Sequence, residues 1–97
     1  MIVRLGDQEF DNVVYDADGD VLYLSRGKPA PAAETLPSSE GHAIRLNEAG
    51  EIIGITVISA KWWAERDGRI VVSIPESHPA LERLETSAED LAPALAA

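Results

Sequence analysis

A hairpin pattern between His42 and Ile58 constrains the fold of this chain most strongly. His42 to Leu46 is an apolar run, and Glu51 to Ile58 is a second one. The four residues between them, Asn47 to Gly50, include Asn and Gly, which adopt the backbone conformations that a short hairpin connection needs. The pattern therefore predicts two adjacent antiparallel strands.

The second strand of this hairpin is expected to lie inside a sheet. Alternation divides its side chains between two faces, with Ile53, Ile55 and Val57 on one and Ile52, Gly54, Thr56 and Ile58 on the other. Both faces are partly apolar. A strand of this kind is expected to be covered fully on one side and partly on the other.

Another hairpin is predicted earlier in the chain. Phe10 to Tyr15 and Val21 to Ser25 are β-type runs. Between them, Asp16 to Asp20 contains the Asp and Gly residues that favour a tight turn. Two such hairpins in one small chain indicate an antiparallel sheet.

Shorter β runs add further strands. Ile2 to Leu5 and Arg69 to Ile74 have β-type composition, and the second is ended by a proline. Arg26 to Gly41 contains three prolines, which cannot donate to a strand ladder, so it is predicted to be a loop or an edge strand. Glu34 to Leu36 is expected to pair briefly within it.

A short helix is predicted after the second hairpin. Ser59 is a favourable N-cap residue for a helix over Ala60–Arg66, and Gly68 lies just past its end. Helical spacing places Trp63 toward the sheet and Trp62 about 100° away. Trp62 would then either pack against the tail or a loop, or contribute to a dimer or partner interface, where tryptophan is enriched.

Residues 76–97 are predicted to form an amphipathic helical tail attached to an antiparallel β domain of residues 1–75. Apolar residues recur in the tail at spacings of three and four, namely Leu81, Leu84, Ala88, Leu91 and Leu95. Thr86 to Glu89 is a capping box that would begin a new helix, and Pro93 would interrupt or end it. Two short helices are therefore expected. Their apolar seam would fold back over the sheet, dock on another chain, or end in disorder.

Together these elements predict an α+β fold in which β structure dominates. It would contain an antiparallel sheet of five or six strands, one short helix and a helical C-terminal tail. The core is expected to consist of strand residues and one tryptophan: Val13, Tyr15, Leu22, Leu24, Ile44, Leu46, Ile53, Ile55, Val57, Trp63, Val72 and Ile74.

Length and charge limit the possible functions. The 97 residues suffice for one domain, and the absence of cysteine excludes disulfides and thiol chemistry. Seventeen acidic against eight basic residues give a net charge of −9, which disfavours nucleic acids and anionic membranes. It is compatible with a basic protein partner or with simple solubility. No segment has the length of a membrane span or the pattern of a signal peptide, so a cytoplasmic protein is expected.

No motif points to catalysis, a metal or a cofactor, and we expect none of the three. Asp16, Asp18 and Asp20 alternate like the start of a calcium loop, but the required glycine and final bidentate acid are missing. The turn 16–20 is therefore interpreted as capped by its own carboxylates, with a weak cation or small-ligand site as the alternative. His42 and His78 lie in different elements and lack the spacing of metal ligands.

Tyr15-Asp16-x-Asp18-x-Asp20-Val21-Leu22-Tyr23-Leu24 resembles the opening of a bacterial family, domain of unknown function 2283. Glu34-Thr35 matches its middle segment, and Ile44 to Ala60 matches its closing hairpin, although Asn47 stands where the family usually has Asp. The resemblance implies a small, sheet-rich domain and no known chemistry. Some members look like partners of toxin-like ribonucleases, which implies an antitoxin-like role.

Three functions follow from these observations. The first is a non-enzymatic module that binds another protein, in its sharpest form an antitoxin-like partner of a basic protein, with an interface at Trp62, Leu81, Leu84, Leu91 and Leu95. The second is a structural homodimer, since symmetric dimers are the commonest oligomers. The third is a weak cation-binding or ligand-binding protein, or an unrecognised hydrolase, that uses the acidic turn.

Overall fold

The computed structural model describes residues 1–75 and 83–96. Its elements in chain order are β1 (Val3–Leu5), β2 (Gln8–Phe10), β3 (Asn12–Asp16), β4 (Val21–Ser25), β5 (Glu34–Pro37), β6 (Ala43–Leu46), β7 (Ile52–Ile58), α1 (Ala60–Asp67), β8 (Arg69–Val72), β9 (Leu84–Ser87) and α2 (Ala88–Leu95). The predicted α+β class with dominant β structure is confirmed. Within the described ranges, no helix has the length and apolar character needed to cross a membrane.

One antiparallel sheet of five strands forms the centre of the molecule, in the order β3-β4-β7-β6-β5. The two predicted hairpins, β3–β4 and β6–β7, are joined because β4 pairs with β7. Strands β5, β6 and β7 follow one another by hairpins while β4 lies beside β7, which is a Greek-key arrangement. The proline at the end of β5 is tolerated because β5 is an edge strand.

A register shift between Arg45 and Leu46 changes which isoleucine of β7 faces the core. Leu46 pairs with Ile52, and Arg45 pairs with Gly54, so Ile53 has no partner on β6. Such a bulge reverses the alternation of the residues beyond it. Ile52 is consequently buried and Ile53 only partly so. The predicted core position of Ile53 is therefore wrong.

The two faces of the central sheet differ in cover. The inner face carries Leu22, Leu24, Ile44, Ile55 and Val57, all buried in one apolar cluster. The cover of this face comes from β1–β2, β8–β9, α1 and α2, which contribute Val3, Leu5, Phe10, Ala60, Ala64, Ile70, Val72, Leu84, Leu91 and Ala94 to the same cluster. The opposite, outer face has no such layer among the described residues.

The predicted helical tail is wrong at Leu84–Ser87, which forms β9 and pairs with β8. Leu84 and Thr86 are buried and Glu85 is exposed, so the segment has strand periodicity and not helical periodicity. Pairing with β8 overrides the local spacing that suggested a helix. Leu81 lies outside the described residues.

Helix α2 begins where the capping residues predicted, with one correction. The N-cap is Ser87, whose side chain accepts a hydrogen bond from the Asp90 N–H, and not Thr86. Pro93 lies inside the helix and does not end it. The proline removes one backbone donor, and its side chain is exposed, so the cost to this short helix is limited.

Candidate functional site

A row of side chains crosses all five strands on the outer face. Strand pairing brings these residues side by side, because each is the direct partner of the next. From β3 to β5 the row reads Val14, Tyr23, Thr56, Ala43 and Pro37. Val21 and Ile58 pair with each other alongside it, nearer the turn between β3 and β4.

The middle of this face is apolar and open to solvent. Val14 is 56% exposed, Tyr23 46% and Ile58 40%. We name Val14, Val21, Tyr23, Thr56 and Ile58 the outer patch. Large apolar side chains that are exposed together, and not singly, mark interaction surfaces in soluble proteins. The outer patch is therefore the candidate functional site.

A shallow groove of about 360 Å³ runs across the outer patch. The chain between β4 and β5 forms one wall of it with Pro29, and Arg45 forms another. The Arg45 guanidinium donates a hydrogen bond to the Ala30 carbonyl and so ties this loop to the sheet. A groove of this volume and apolar lining is large enough for an apolar side chain of a partner.

The acidic turn beside the patch has a structural role. The Asp16 carboxylate accepts hydrogen bonds from the backbone N–H groups of Asp18 (3.2 Å) and Gly19 (3.4 Å), which closes the turn. The Asp20 carboxylate accepts from the Lys61 N–H at 2.8 Å and the Trp62 N–H at 3.1 Å. Asp20 thus caps α1 from a distant part of the chain.

This cap replaces the one predicted at Ser59. Ser59 has a left-handed backbone (φ 57) and its side chain makes no capping hydrogen bond. The Asp20 carbonyl instead accepts from the Ala60 N–H at 3.1 Å. At the other end of the helix, Gly68 is the predicted C-cap, in a left-handed conformation and donating to the Ala64 carbonyl.

Hydrogen bonding at Asp20 shifts two pKa values. Burial acts to raise the pKa of Asp20, but the donors from Lys61, Tyr15 and Trp62 outweigh it and hold the pKa below its usual value. The Tyr15 hydroxyl donates to Asp20 at 2.7 Å, and this bond, with burial and the nearby carboxylates, raises the pKa of Tyr15 to about 12. In residues 1–75 and 83–96, no group of three or more His, Asp or Glu side chains converges as a metal site.

His42 and Glu40, just before β6, form a second polar site. His42 is buried, and its Nδ1 accepts a hydrogen bond from the Ile58 N–H at 3.0 Å. This bond assigns the proton of the neutral ring to Nε2, which has no hydrogen-bond partner among the described residues. Burial lowers the pKa of His42, against the opposing charge of Glu40.

Glu40 joins the turn before β6 to the residue after β8. Its carboxylate accepts from the Ser73 N–H at 2.9 Å and the Ser73 hydroxyl at 2.5 Å. Burial acts to raise the pKa of Glu40, but these bonds outweigh it and lower the pKa. Sequence patterns give no signal for this contact, because its two residues are 33 positions apart.

The five residues predicted as a partner interface do not form one exposed surface. Trp62 is 51% exposed, lies edge-to-face against Trp63 at 5.0 Å, and has the Arg66 guanidinium 5.0 Å above its ring. Leu84 and Leu91 are buried in the chain's own core. Leu95 is half-buried in a groove between α1 and α2, and Leu81 is outside the described residues.

The segment that forms the five-stranded sheet also carries the family pattern. A family model described as a protein of unknown function (DUF2283) matches residues 12–61, just over half of the 97 residues. The chain belongs to this family. The matched segment begins with β3 and ends at the start of α1, so the DUF2283 match excludes most of the inner cover. No curated protein and no solved structure matches the chain.

Proposed function

We propose that this DUF2283 member is a non-enzymatic, cytoplasmic interaction module, antitoxin-like in its sharpest form, which binds another protein through the outer patch. The observation that carries the proposal is the exposure of Val14, Tyr23 and Ile58 together on a sheet whose other face is covered by other elements of the chain. The exposed apolar side chains give the site the composition of a docking surface.

The energetics of the patch fit a protein partner. Complete burial of one large apolar side chain contributes about 1.5–3 kcal/mol. The three most exposed residues of the patch retain about half of their area in water. Their burial therefore contributes a few kcal/mol, which assists specific binding when neighbouring polar contacts are added.

The cation-binding alternative has less support from the geometry. Three donors already occupy the Asp20 carboxylate, and two backbone N–H groups occupy one oxygen of Asp16. These oxygens face hydrogen-bond donors, whereas a cation needs several free oxygens directed at one point. The acidic turn therefore supports a structural role.

Site-specific photocrosslinking tests the proposal. A photoreactive phenylalanine analogue replaces Tyr23 in the full chain, expressed in its native host, and the same analogue replaces exposed Glu89 on α2 as the control. We expect one protein to be crosslinked at position 23 and not at position 89. Mass spectrometry identifies the captured protein. The purified protein should then bind the full chain, and Tyr23→Ser should weaken this binding at least tenfold.

Two outcomes contradict the proposal. In the first, every protein that is crosslinked at position 23 is also crosslinked at position 89, or no protein is crosslinked at position 23. The other is a purified pair whose affinity is unchanged by Tyr23→Ser. A product with the mass of two copies of this chain would identify the structural homodimer, and sedimentation of the purified chain would then measure its dissociation constant.

A further inference from the structure

The borders of the outer patch carry exposed negative charge. Asp16 follows Val14 by two residues on β3, so its side chain lies on the same face, about 7 Å further along the strand. It is paired with Val21 of the patch. Asp18 is exposed in the adjoining turn. When a partner places one side chain in the groove beside Val14, a neighbouring long side chain of the same partner therefore has both carboxylates within reach.

Among the described residues, no ion pair joins a basic side chain to Asp16 or Asp18. Arg4, Lys61 and Arg83 lie against Glu9, Glu65 and Glu85 respectively. On the outer face itself, the Arg45 guanidinium is turned to the Ala30 carbonyl at the opposite end from Asp16. The net charge of −9 adds a long-range negative potential.

A second copy is a poor occupant of this face. Two copies would each bring a charge of −9 to the contact, with the carboxylates of Asp16 and Asp18 at the border of each patch.

We infer that the outer patch receives a basic segment of a different protein, with an apolar side chain in the groove at Val14 and Tyr23 and a lysine or arginine at Asp16 and Asp18. This inference rests on the proposed function and adds the chemistry of the partner. Positions i and i+4 of a helix, about 6 Å apart, supply the required spacing. The apolar contact provides the anchor, and the charges steer the encounter.

The inference is tested by the association kinetics of the full chain with the partner that crosslinking identified, after each protein has been purified without a crosslink. The double variant Asp16→Asn/Asp18→Asn removes two charges, and the Asn oxygen at position 16 still accepts the turn hydrogen bonds. Asp7→Asn/Glu89→Gln removes two charges from the inner layer as the matched control. Asp18→Asn alone is a second variant, because the turn bonds go to the Asp16 carboxylate.

We expect the wild-type association rate to fall about tenfold between about 50 and 300 mM salt. The Asp16/Asp18 variant should associate about three- to tenfold more slowly at low salt with a flatter salt dependence, and the control less than twofold. An association rate of the captured partner that changes neither with salt nor with the substitutions at Asp16 and Asp18 overturns the inference. The proposed function then still stands. Capture of a second copy also overturns it. If no specific crosslinked product forms at position 23, both the inference and the proposed function are overturned.

Discussion

The two faces of the central sheet are built from similar residues and end in different environments. Leu22 and Leu24 on the inner face of β4 are almost completely buried, whereas Tyr23 between them is 46% exposed. Val14 and Val13 on β3 differ in the same way. Apolar content therefore does not decide which face of this sheet is covered. The packing of other segments decides it.

Those covering segments lie mostly outside the DUF2283 match. Leu5 and Phe10 come from the hairpin before residue 12, and Ile70, Leu84 and Leu91 come from elements after residue 61. The family segment thus supplies a sheet with two apolar faces, and the rest of this chain completes one of them. The outer face of the DUF2283 segment has no comparable cover among the described residues.

The largest expected loss of stability comes from the inner face of the sheet, and the adjacent residue of the outer face provides a direct comparison. Leu22→Ala removes a fully buried inner side chain and should lower the free energy of unfolding by about 2–5 kcal/mol. Tyr23→Ala, one residue away on the outer face, should lower it by less than about 1 kcal/mol. Urea denaturation of both variants measures the difference. Equal losses would contradict the assignment of an open outer face.

Gly54 lies on the outer face at a position where a larger side chain does not fit. A Cβ at position 54 would lie 2.8 Å from the Leu24 carbonyl oxygen, so Gly54→Ala forces β4 and β7 apart. We expect a loss of about 1–3 kcal/mol, the usual cost of overpacking. Thr56→Ala, two residues along the same face, should cost less than about 1 kcal/mol. Matching losses in thermal or urea unfolding would show that Gly54 is not confined.

The cap at Asp20 links the family sheet to its cover. Asp20 has a left-handed backbone (φ 54), which Asn also tolerates. Asp20→Asn replaces one accepting oxygen with a donor and removes the charge, which should destabilise the chain by about 1–2 kcal/mol. The same change should lower the pKa of Tyr15 from about 12 toward 10. Titration of the Tyr15 ring by NMR measures this shift. An unchanged Tyr15 pKa would contradict the Asp20 carboxylate as its main cause.

The raised pKa of Tyr15 also predicts a dependence on alkaline pH. The folded chain retains the Tyr15 proton where the unfolded chain has lost it, so this stabilisation is complete below the unfolded pKa of 10.0. It should disappear as pH rises toward about 12. Tyr15→Phe provides the control, because that variant has no proton to lose at this position.

The smallest expected effect concerns His42 on the inner side. Burial lowers its pKa, so the unfolded chain binds a proton first as pH falls below about 6.5, and stability decreases by up to about 1.4 kcal/mol per pH unit. His42→Asn keeps an acceptor for the Ile58 N–H but cannot titrate. Unfolding free energies of both proteins between about pH 7.5 and 5.5 measure the difference. Parallel slopes would exclude His42 as the cause.

Local chemistry made a large part of this fold predictable. The turns around Asn47 and Gly50, and around Asp16 and Gly19, identified both hairpins because turn residues act over a few positions. Helical spacing correctly placed Trp63 against the core and Trp62 on a different side of the helix, where it is half exposed. The family resemblance from Tyr15 to Ala60 was confirmed by the match to residues 12–61.

Features that depend on distant residues were not predictable. The exchange of Ile52 and Ile53 requires the bulge opposite Arg45, which no local pattern marks. Strand β9 exists because β8 offers it a pairing edge. Asp20 caps a helix 41 residues away. The outer patch itself is identified only once the origin of the inner cover is known, although the mixed apolar character of β7 indicated incomplete cover.

The cap at Asp20 has a consequence for following the folding of this protein. Both tryptophans of the chain lie on α1, a helix of eight residues, which is too short to persist alone in water. The helix gains its N-terminal acceptor where Asp20, just before β4, lies beside the end of β7. Tryptophan fluorescence in a refolding experiment will therefore report the docking of α1 on the sheet.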